Sequence, residues 1–337
     1  MKNIRLGLMG CGIVARYRHL PVIDKLPGIE KVALYTPRAS IAEELASEFG
    51  FANAFSSESD FWNAGLDLVS ITSPAGCHLQ NIRAAADHHV DVLCEKPLAL
   101  ADEDCREIAS IVERSGIKLY VAFCFRFSPV SLKIRELITS GAIGRLKTMR
   151  LVFNWDCRGK YQDEEKKTLN ERREKRMEEG GPLIDCGVHM IDLARFWSGS
   201  EPVQWCGHGS WADDYQAPDH VWVHLDHADG VHTMAEASFS YGHTCKNRLM
   251  EFRYDIIGTD GIIRYDHTPP FFELQNADGV QVFPYAVEKD FGPMYTALID
   301  AIHTGDAGNM ALCRDGVIAT QIANAATQDA LAKRLRH

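Results

Sequence analysis

Ile4-Arg5-Leu6-Gly7-Leu8-Met9-Gly10-Cys11-Gly12-Ile13-Val14-Ala15 is an apolar run that ends in two spaced glycines and a small residue. The first six residues read as a buried strand, and the residues after Gly12 as the start of a helix. Gly10 permits a tight turn, and Gly12 lets the backbone approach a pyrophosphate whose charge the free N–H groups of the helix start would stabilise. Ala15 takes the place of a third glycine where helix packs on strand. The context makes the spacing informative, because the loop begins an alternating βα pattern.

That pattern continues outward. Lys31–Tyr35, Leu66–Ile71, Val90–Cys94 and Lys118–Phe123 are β-rich, with helical stretches at Ser40–Phe49, His78–His88 and Asp102–Ser115 between them. Strands apolar on both faces and separated by helices predict a parallel sheet covered on both sides. After about residue 124 the pattern changes. A helix from Pro129 to Ser140 precedes a long strand, Leu146–Trp155, and a second helix spans about Leu183 to Trp197. From Pro202 onward, Asp229-Gly230, Thr259-Asp260-Gly261 and Asp278-Gly279 sit between β-like runs as hairpin turns. A helical stretch, Arg314–Arg336, follows. The expectation is an α/β chain with a Rossmann, doubly wound parallel sheet in residues 1–123. Residues 124–337 are expected to form an α/β domain with a large open, mostly antiparallel sheet for substrate binding and oligomerisation.

Composition narrows the function. With 337 residues, two cores are expected. The 46 acidic residues outnumber 36 basic ones, giving a formal charge of -10, which argues against nucleic acid as a partner. No apolar run is long enough to span a membrane, and no signal peptide is read at Met1, so a cytoplasmic location is expected. The ten cysteines include no Cys-x-x-Cys, and His88-His89 with Asp91 lacks a further ligand, so no metal is expected. The run Asp163–Glu179 is dense in mixed charge and reads as a solvated helix or mobile loop; as a lid or subunit arm it would bring Arg172 and Arg173 to an anionic substrate or cofactor phosphate.

The cofactor's ribose is usually read about 20 residues past the loop, at the end of the second strand. That position is Thr36, and no Asp or Glu occurs from Lys31 to Ala42. Lacking a carboxylate there and having Arg38 nearby, the chain is expected to favour NADP over NAD.

Further motifs complete a pattern. Pro74 with His78, Cys94-Glu95-Lys96-Pro97-Leu98-Ala99, Arg126-Phe127-Ser128-Pro129 and the segment Gly180-Gly181-Pro182 through Asp185 and His189 to Leu193 resemble the Gfo/Idh/MocA oxidoreductases. The resemblance implies hydride transfer on a sugar, polyol or related carbohydrate, a Lys96 contact to the cofactor ribose, a cis peptide before Pro97, and a homodimer or homotetramer. It leaves two alternatives: an epimerase or glycosidase with tightly bound NAD and no net redox change, and a non-catalytic dinucleotide sensor.

The residues themselves fit an alcohol–carbonyl reaction. An ammonium at Lys96, beyond the carboxyl end of a strand, can stabilise developing alkoxide charge. His189 suits a proton acceptor because an imidazole titrates near neutrality. Asp185, one helical turn before it, either binds a substrate hydroxyl or supports His189. The cofactor-side candidates are Gly10, Cys11, Gly12, Ile13, Val14, Ala15, Thr36, Arg38, Ser73, Pro74, His78, Glu95, Lys96 and Arg126. Three of these carry a second reading. His78 contacts the cofactor or starts a helix, Arg126 binds a ligand or neutralises a buried carboxylate, and Glu95 positions backbone or cofactor. Asp192 reads as structural.

Overall fold

The computed structural model describes residues 3–157, 171–247 and 249–334. Two compact units emerge: Met1–Phe127 with Lys289–Ile318, and Ser128–Glu288 with Ala319–His337. The first therefore extends past the simple 1–123 segment and regains a stretch near the end of the chain.

The first unit is built on β1 (Ile4–Met9), β2 (Ile29–Tyr35), β3 (Asn53–Phe55), β4 (Leu68–Ile71), β5 (Asp91–Cys94) and β6 (Leu119–Val121). All six are parallel, in the order β6-β5-β4-β1-β2-β3. This is the doubly wound order in which the chain reverses direction beside β1, the place where such sheets take ligands. Leu6, Leu8, Val69, Ile71, Val92 and Leu93 are buried from both sides, which explains their unbroken apolar runs. Helices Ala39–Phe49, His78–Asp87 and Asp102–Ser115 connect the strands. The last carries Asp102, Glu103 and Asp104 in its first turn, where the helix dipole favours negative charge. Asn53–Phe55 is too short to show periodicity in sequence.

In the second unit the strands are β7 (Leu146–Trp155), β8 (Pro202–Ser210), β9 (His220–His227), β10 (His232–Ser238), β11 (Met250–Gly258), β12 (Gly261–His267), β13 (Pro270–Asn276) and β14 (Gly279–Val282). Their order is β14-β13-β12-β11-β7-β10-β9-β8, with only β7 and β10 parallel. The three Asp-Gly signals fall at β9–β10, β11–β12 and β13–β14. A fifteenth strand, β15 (Ala311–Leu312), pairs antiparallel with β6 at the edge of the first sheet. Only two residues long, it was not anticipated from sequence.

Strict alternation splits the large sheet into two faces. Val221, Val223 and Leu225 of β9 and Phe252, Tyr254 and Ile256 of β11 are buried. Arg150, Glu236, Asp255, Arg264 and Glu273 form ion pairs on the opposite face. The expected helices cover the buried face. Pro129–Thr139 is capped by the Ser128 hydroxyl, which accepts from Ser131 N at 2.9 Å. Val188–Ser198 is buried from Val188 through Trp197, and the Trp197 indole donates to the Ser131 carbonyl at 3.1 Å. Residues 183–187 depart from the expected α-helix and form a π-helical turn. The closing helix runs Cys313–Ala332 rather than to Arg336, whose structure lies outside the described residues.

Candidate active site

The glycine loop follows β1 directly. Gly10 has φ +100°, and a Cβ there would lie 2.4 Å from Ser73 N, so both its backbone and its neighbours require glycine. Its N–H donates to the Tyr35 carbonyl at 2.9 Å, which stitches the loop to the end of β2. A Cβ on Gly12 would instead meet nothing within 4 Å. Gly12 therefore faces open space, with Ile13 exposed beside it, in front of a helix that continues through the π-helical Ala15–His19 into Leu20–Ile23. Open backbone at a helix start fits a dinucleotide pyrophosphate. Cys11 is buried, its Sγ 3.6 Å from the Tyr35 carbonyl. Burial pushes its thiol up to about 11, opposed by the charge of the exposed Arg38 guanidinium. Thr36 is buried, its N–H bonded to the Phe55 carbonyl at 3.2 Å.

Lys96 lies in the loop after β5, and its bond to Pro97 is cis. Glu95 Oε2 accepts from the Lys96 N–H at 3.2 Å, and Oε1 is 2.8 Å from His19 Nε2. A carboxylate only accepts, so His19 donates through Nε2. His19 Nδ1 pairs with the Tyr295 hydroxyl at 2.7 Å, and that hydroxyl with Ser70 Oγ at 2.9 Å. Burial works to raise the Glu95 pKa, but the His19 hydrogen bond and the charges of His19, Lys96 and Lys289 outweigh it, and the pKa is lowered. Burial also drives the Tyr295 hydroxyl well above its ordinary value. Sequence reasoning found Glu95 but missed His19, Ser70 and Tyr295. Their one visible signal is a histidine amid the apolar residues Leu20, Val22 and Ile23.

Two cofactor-side candidates turn inward. His78 is fully enclosed, with Nδ1 3.0 Å from the Pro97 carbonyl and Nε2 3.0 Å from the Ser73 carbonyl. Carbonyl oxygens only accept, so the neutral ring bonds one of the two through its single N–H, and burial lowers its pKa. Both ring nitrogens face backbone carbonyls, and His78 begins the helix His78–Asp87, the second of its two expected readings. Arg126 is also buried, with Nη2 3.5 Å from Asp315 and Nη1 3.4 Å from the Asn309 carbonyl. Its carboxylate neighbour Asp315, at the start of the closing helix, is half-buried rather than the buried carboxylate of the second reading. Ser73 Oγ accepts from Asn81 Nδ2 at 2.7 Å, and Pro74 starts the short turn leading to His78.

In the second unit Asp185 lies within the π-helical turn, and His189, buried, at the start of Val188–Ser198. The Asp185 carboxylate is ion-paired with Arg176, and Cys186 Sγ lies 3.6 Å from it. Arg176 belongs to helix Glu171–Glu178, part of the run expected to be solvated or mobile. Residues 163–170 of that run lie outside the described residues, as does the Arg172 side chain. For the rest the expectation is corrected. Arg173 has no exposed surface; it donates to the Asp156 and Phe239 carbonyls and to Asp213 at 3.3 Å. Its charge is met inside the protein, not by an anionic ligand. Met177 of the same helix packs with Cys157, Cys186, Ala217 and Phe239.

Among the described residues, no three His, Cys, Asp or Glu side chains gather as a metal site, and no helix is long and apolar enough to cross a membrane.

Comparison with known proteins accords with this geometry. Residues 4–123 match the model of the oxidoreductase family with an NAD-binding Rossmann fold, and residues 131–264 the GFO/IDH/MocA C-terminal domain. The chain is 26% identical over 269 residues to scyllo-inositol 2-dehydrogenase (NAD(+)) of Bacillus subtilis, covering 77% of this chain and 73% of that protein. It is 27% identical over 335 residues to the rhizopine catabolism protein MocA of Rhizobium meliloti, covering 97% and 95%. An oxidoreductase from Agrobacterium radiobacter, solved in complex with NAD+, L-tartaric acid and magnesium, shares the fold with a TM-score of 0.82 at 18% identity, over 99% of this chain and 98% of that one. With both signature domains present in order, the chain belongs to the Gfo/Idh/MocA family of NAD(P)-binding oxidoreductases.

Proposed function

We propose that this protein is a dehydrogenase or reductase that transfers a hydride between NAD(P) and a hydroxyl or carbonyl carbon of a sugar, polyol or related carbohydrate. One observation carries the reading. The open glycine loop and the Lys96 loop both lie at the carboxyl ends of parallel strands in one sheet, where such folds take their ligands. The inositol dehydrogenase relative supports the substrate class.

When bound, the nicotinamide supplies the hydride acceptor. The protein's residues manage the proton and the oxygen. His189 takes the hydroxyl proton as the carbon–hydrogen bond is lost, and Lys96 donates a hydrogen bond to the oxygen as negative charge develops. Glu95 fixes the Lys96 backbone, and Asp185 supports binding of substrate hydroxyls. The lack of an acidic residue from Lys31 to Ala42, together with an exposed Arg38 two residues after Thr36, supports a preference for NADP over NAD. Assembly as a homodimer or homotetramer is supported by the family likeness alone, and sedimentation equilibrium tests it.

Lys96→Ala tests the site. Turnover is expected to fall about a thousandfold, as for loss of an oxyanion donor, with an unchanged circular dichroism spectrum. Turnover near the wild-type value from a folded variant contradicts the assignment.

A further inference from the structure

The helix Glu171–Glu178 is held in place at several points, and one of its side chains reaches Asp185. Arg173 anchors it in the interior through two backbone carbonyls and Asp213. Glu174 accepts from the Tyr215 hydroxyl at 2.7 Å, and Met177 enters the core beside Phe239. Gly180 and Gly181, at φ +116° and +83°, then turn the chain back, and the Gly181 N–H donates to the Arg176 carbonyl at 2.9 Å. A Cβ on Gly180 would come within 2.7 Å of Ile184. This turn places Asp185 beside Arg176, three residues along the helix from the anchoring Arg173. The Arg176 guanidinium lies 5.8 Å from the Trp155 ring centroid, and each partner of the Arg176–Asp185 pair keeps 18% of its side chain exposed. The pair is formed and has an aromatic neighbour, yet solvent reaches it.

We propose that Arg176 is a positioning residue that commits its charge to Asp185, holding that carboxylate to accept from hydroxyls of a neutral polyhydroxylated substrate and disfavouring sugar acids. The proposal rests on the reading of Asp185 as a substrate-side residue. The physics is that of a neutral pair. A carboxylate-bearing ligand gains nothing from a guanidinium already matched and meets the repulsion of Asp185. A neutral hydroxyl pays no such cost and finds a charge-assisted acceptor. Removal of Asp185 would free the guanidinium for a ligand carboxylate.

The test has a binding arm and a kinetic arm. Quenching of tryptophan fluorescence by D-glucuronate is measured for wild type, Asp185→Asn and the Asp185→Asn/Arg176→Met double variant, all checked for folding. The expectation is glucuronate affinity at least about tenfold higher in Asp185→Asn than in wild type or the double variant, the scale of one charge-assisted contact. Equal affinity in all three overturns the proposal. In the kinetic arm, Arg176→Met should raise KM for the best polyol about tenfold with a smaller loss of kcat, and Arg176→Lys should restore most of it. An unchanged KM in Arg176→Met overturns the proposal as well. If wild type turns over no polyol, the dehydrogenase reading fails, and the binding arm alone decides the role of Arg176.

Discussion

Glu288→Gln should stabilise the second unit in alkaline solution and leave it nearly unchanged in acid. Glu288 is 4% exposed; its Oε2 accepts from the Ser128 hydroxyl, and Oε1 has no hydrogen-bond partner among the described residues. Burial pushes its carboxyl from 4.5 up to about 8, against the opposing pull of the Ser128 hydrogen bond. The sign follows from proton binding. Below about 4.5 the folded and unfolded chains both hold the proton, and stability is fully present. Between that value and about 8 the unfolded chain releases it while the native one retains it, so stability falls as pH rises. The window is 8 − 4.5 = 3.5 pH units, which at about 1.4 kcal/mol per unit sets a ceiling of roughly 5 kcal/mol. Glutamine mimics the protonated acid and removes this slope. Five of the six tryptophans (155, 197, 205, 211 and 222) lie in the second unit, so urea unfolding followed by tryptophan fluorescence reports chiefly on that unit. At about pH 5 the two proteins should unfold at similar urea concentrations; at about pH 8 the variant should be more stable by at least ~2 kcal/mol. Parallel pH dependences in wild type and variant would refute the buried-acid argument.

Other substitutions probe separate parts of the account. Arg173→Met leaves Asp213 and Asp219 without their buried cation, and about 3–5 kcal/mol of stability should be lost. Calorimetry should register that as a Tm decrease of roughly 10 °C, whereas a change within about 2 °C would mean the ion pairs contribute nothing net. Arg38→Ala should weaken NADPH binding about tenfold or more and leave NADH within about twofold, read by cofactor fluorescence titration. Equal effects on both cofactors would remove Arg38 as a phosphate reader.

Much of the fold was legible because its determinants are local. Buried parallel strands are apolar on both faces, so β1, β4 and β5 stand out as runs. The half-exposed strands β9 and β11 alternate, and the Asp-Gly turns mark their hairpins. The glycine loop announced itself through a strand on one side and a helix on the other. What stayed hidden depends on partners far apart in sequence. Glu95 and His19 are separated by 76 residues, and no periodicity brings them together. Arg173 sits in a run whose composition is that of a solvated helix; within the helix Glu171–Glu178, Met177, apolar among charges, hints that one side faces inward. Its carboxylate partner Asp213 is 40 residues away. The π-helical turn at Leu183–Gly187 was hidden for another reason, since i,i+4 spacing alone does not distinguish it from an α-helix. His78 and Arg126 show the converse: beside a cofactor motif each admits a ligand and a structural reading. The partners, backbone carbonyls for His78 and the Asp315 carboxylate for Arg126, lie far away in sequence or are invisible to it.

The central claim is net hydride transfer between nicotinamide and a carbohydrate carbon. Its most direct test incubates folded, cofactor-stripped protein with NAD+ or NADP+ and a panel of polyols and sugars, and compares reduced nicotinamide formed with carbonyl product formed. The two should appear in equal amounts, faster with NADP+ than with NAD+. Substrate conversion without accumulation of reduced nicotinamide, or failure of the folded protein to bind either dinucleotide, would contradict it.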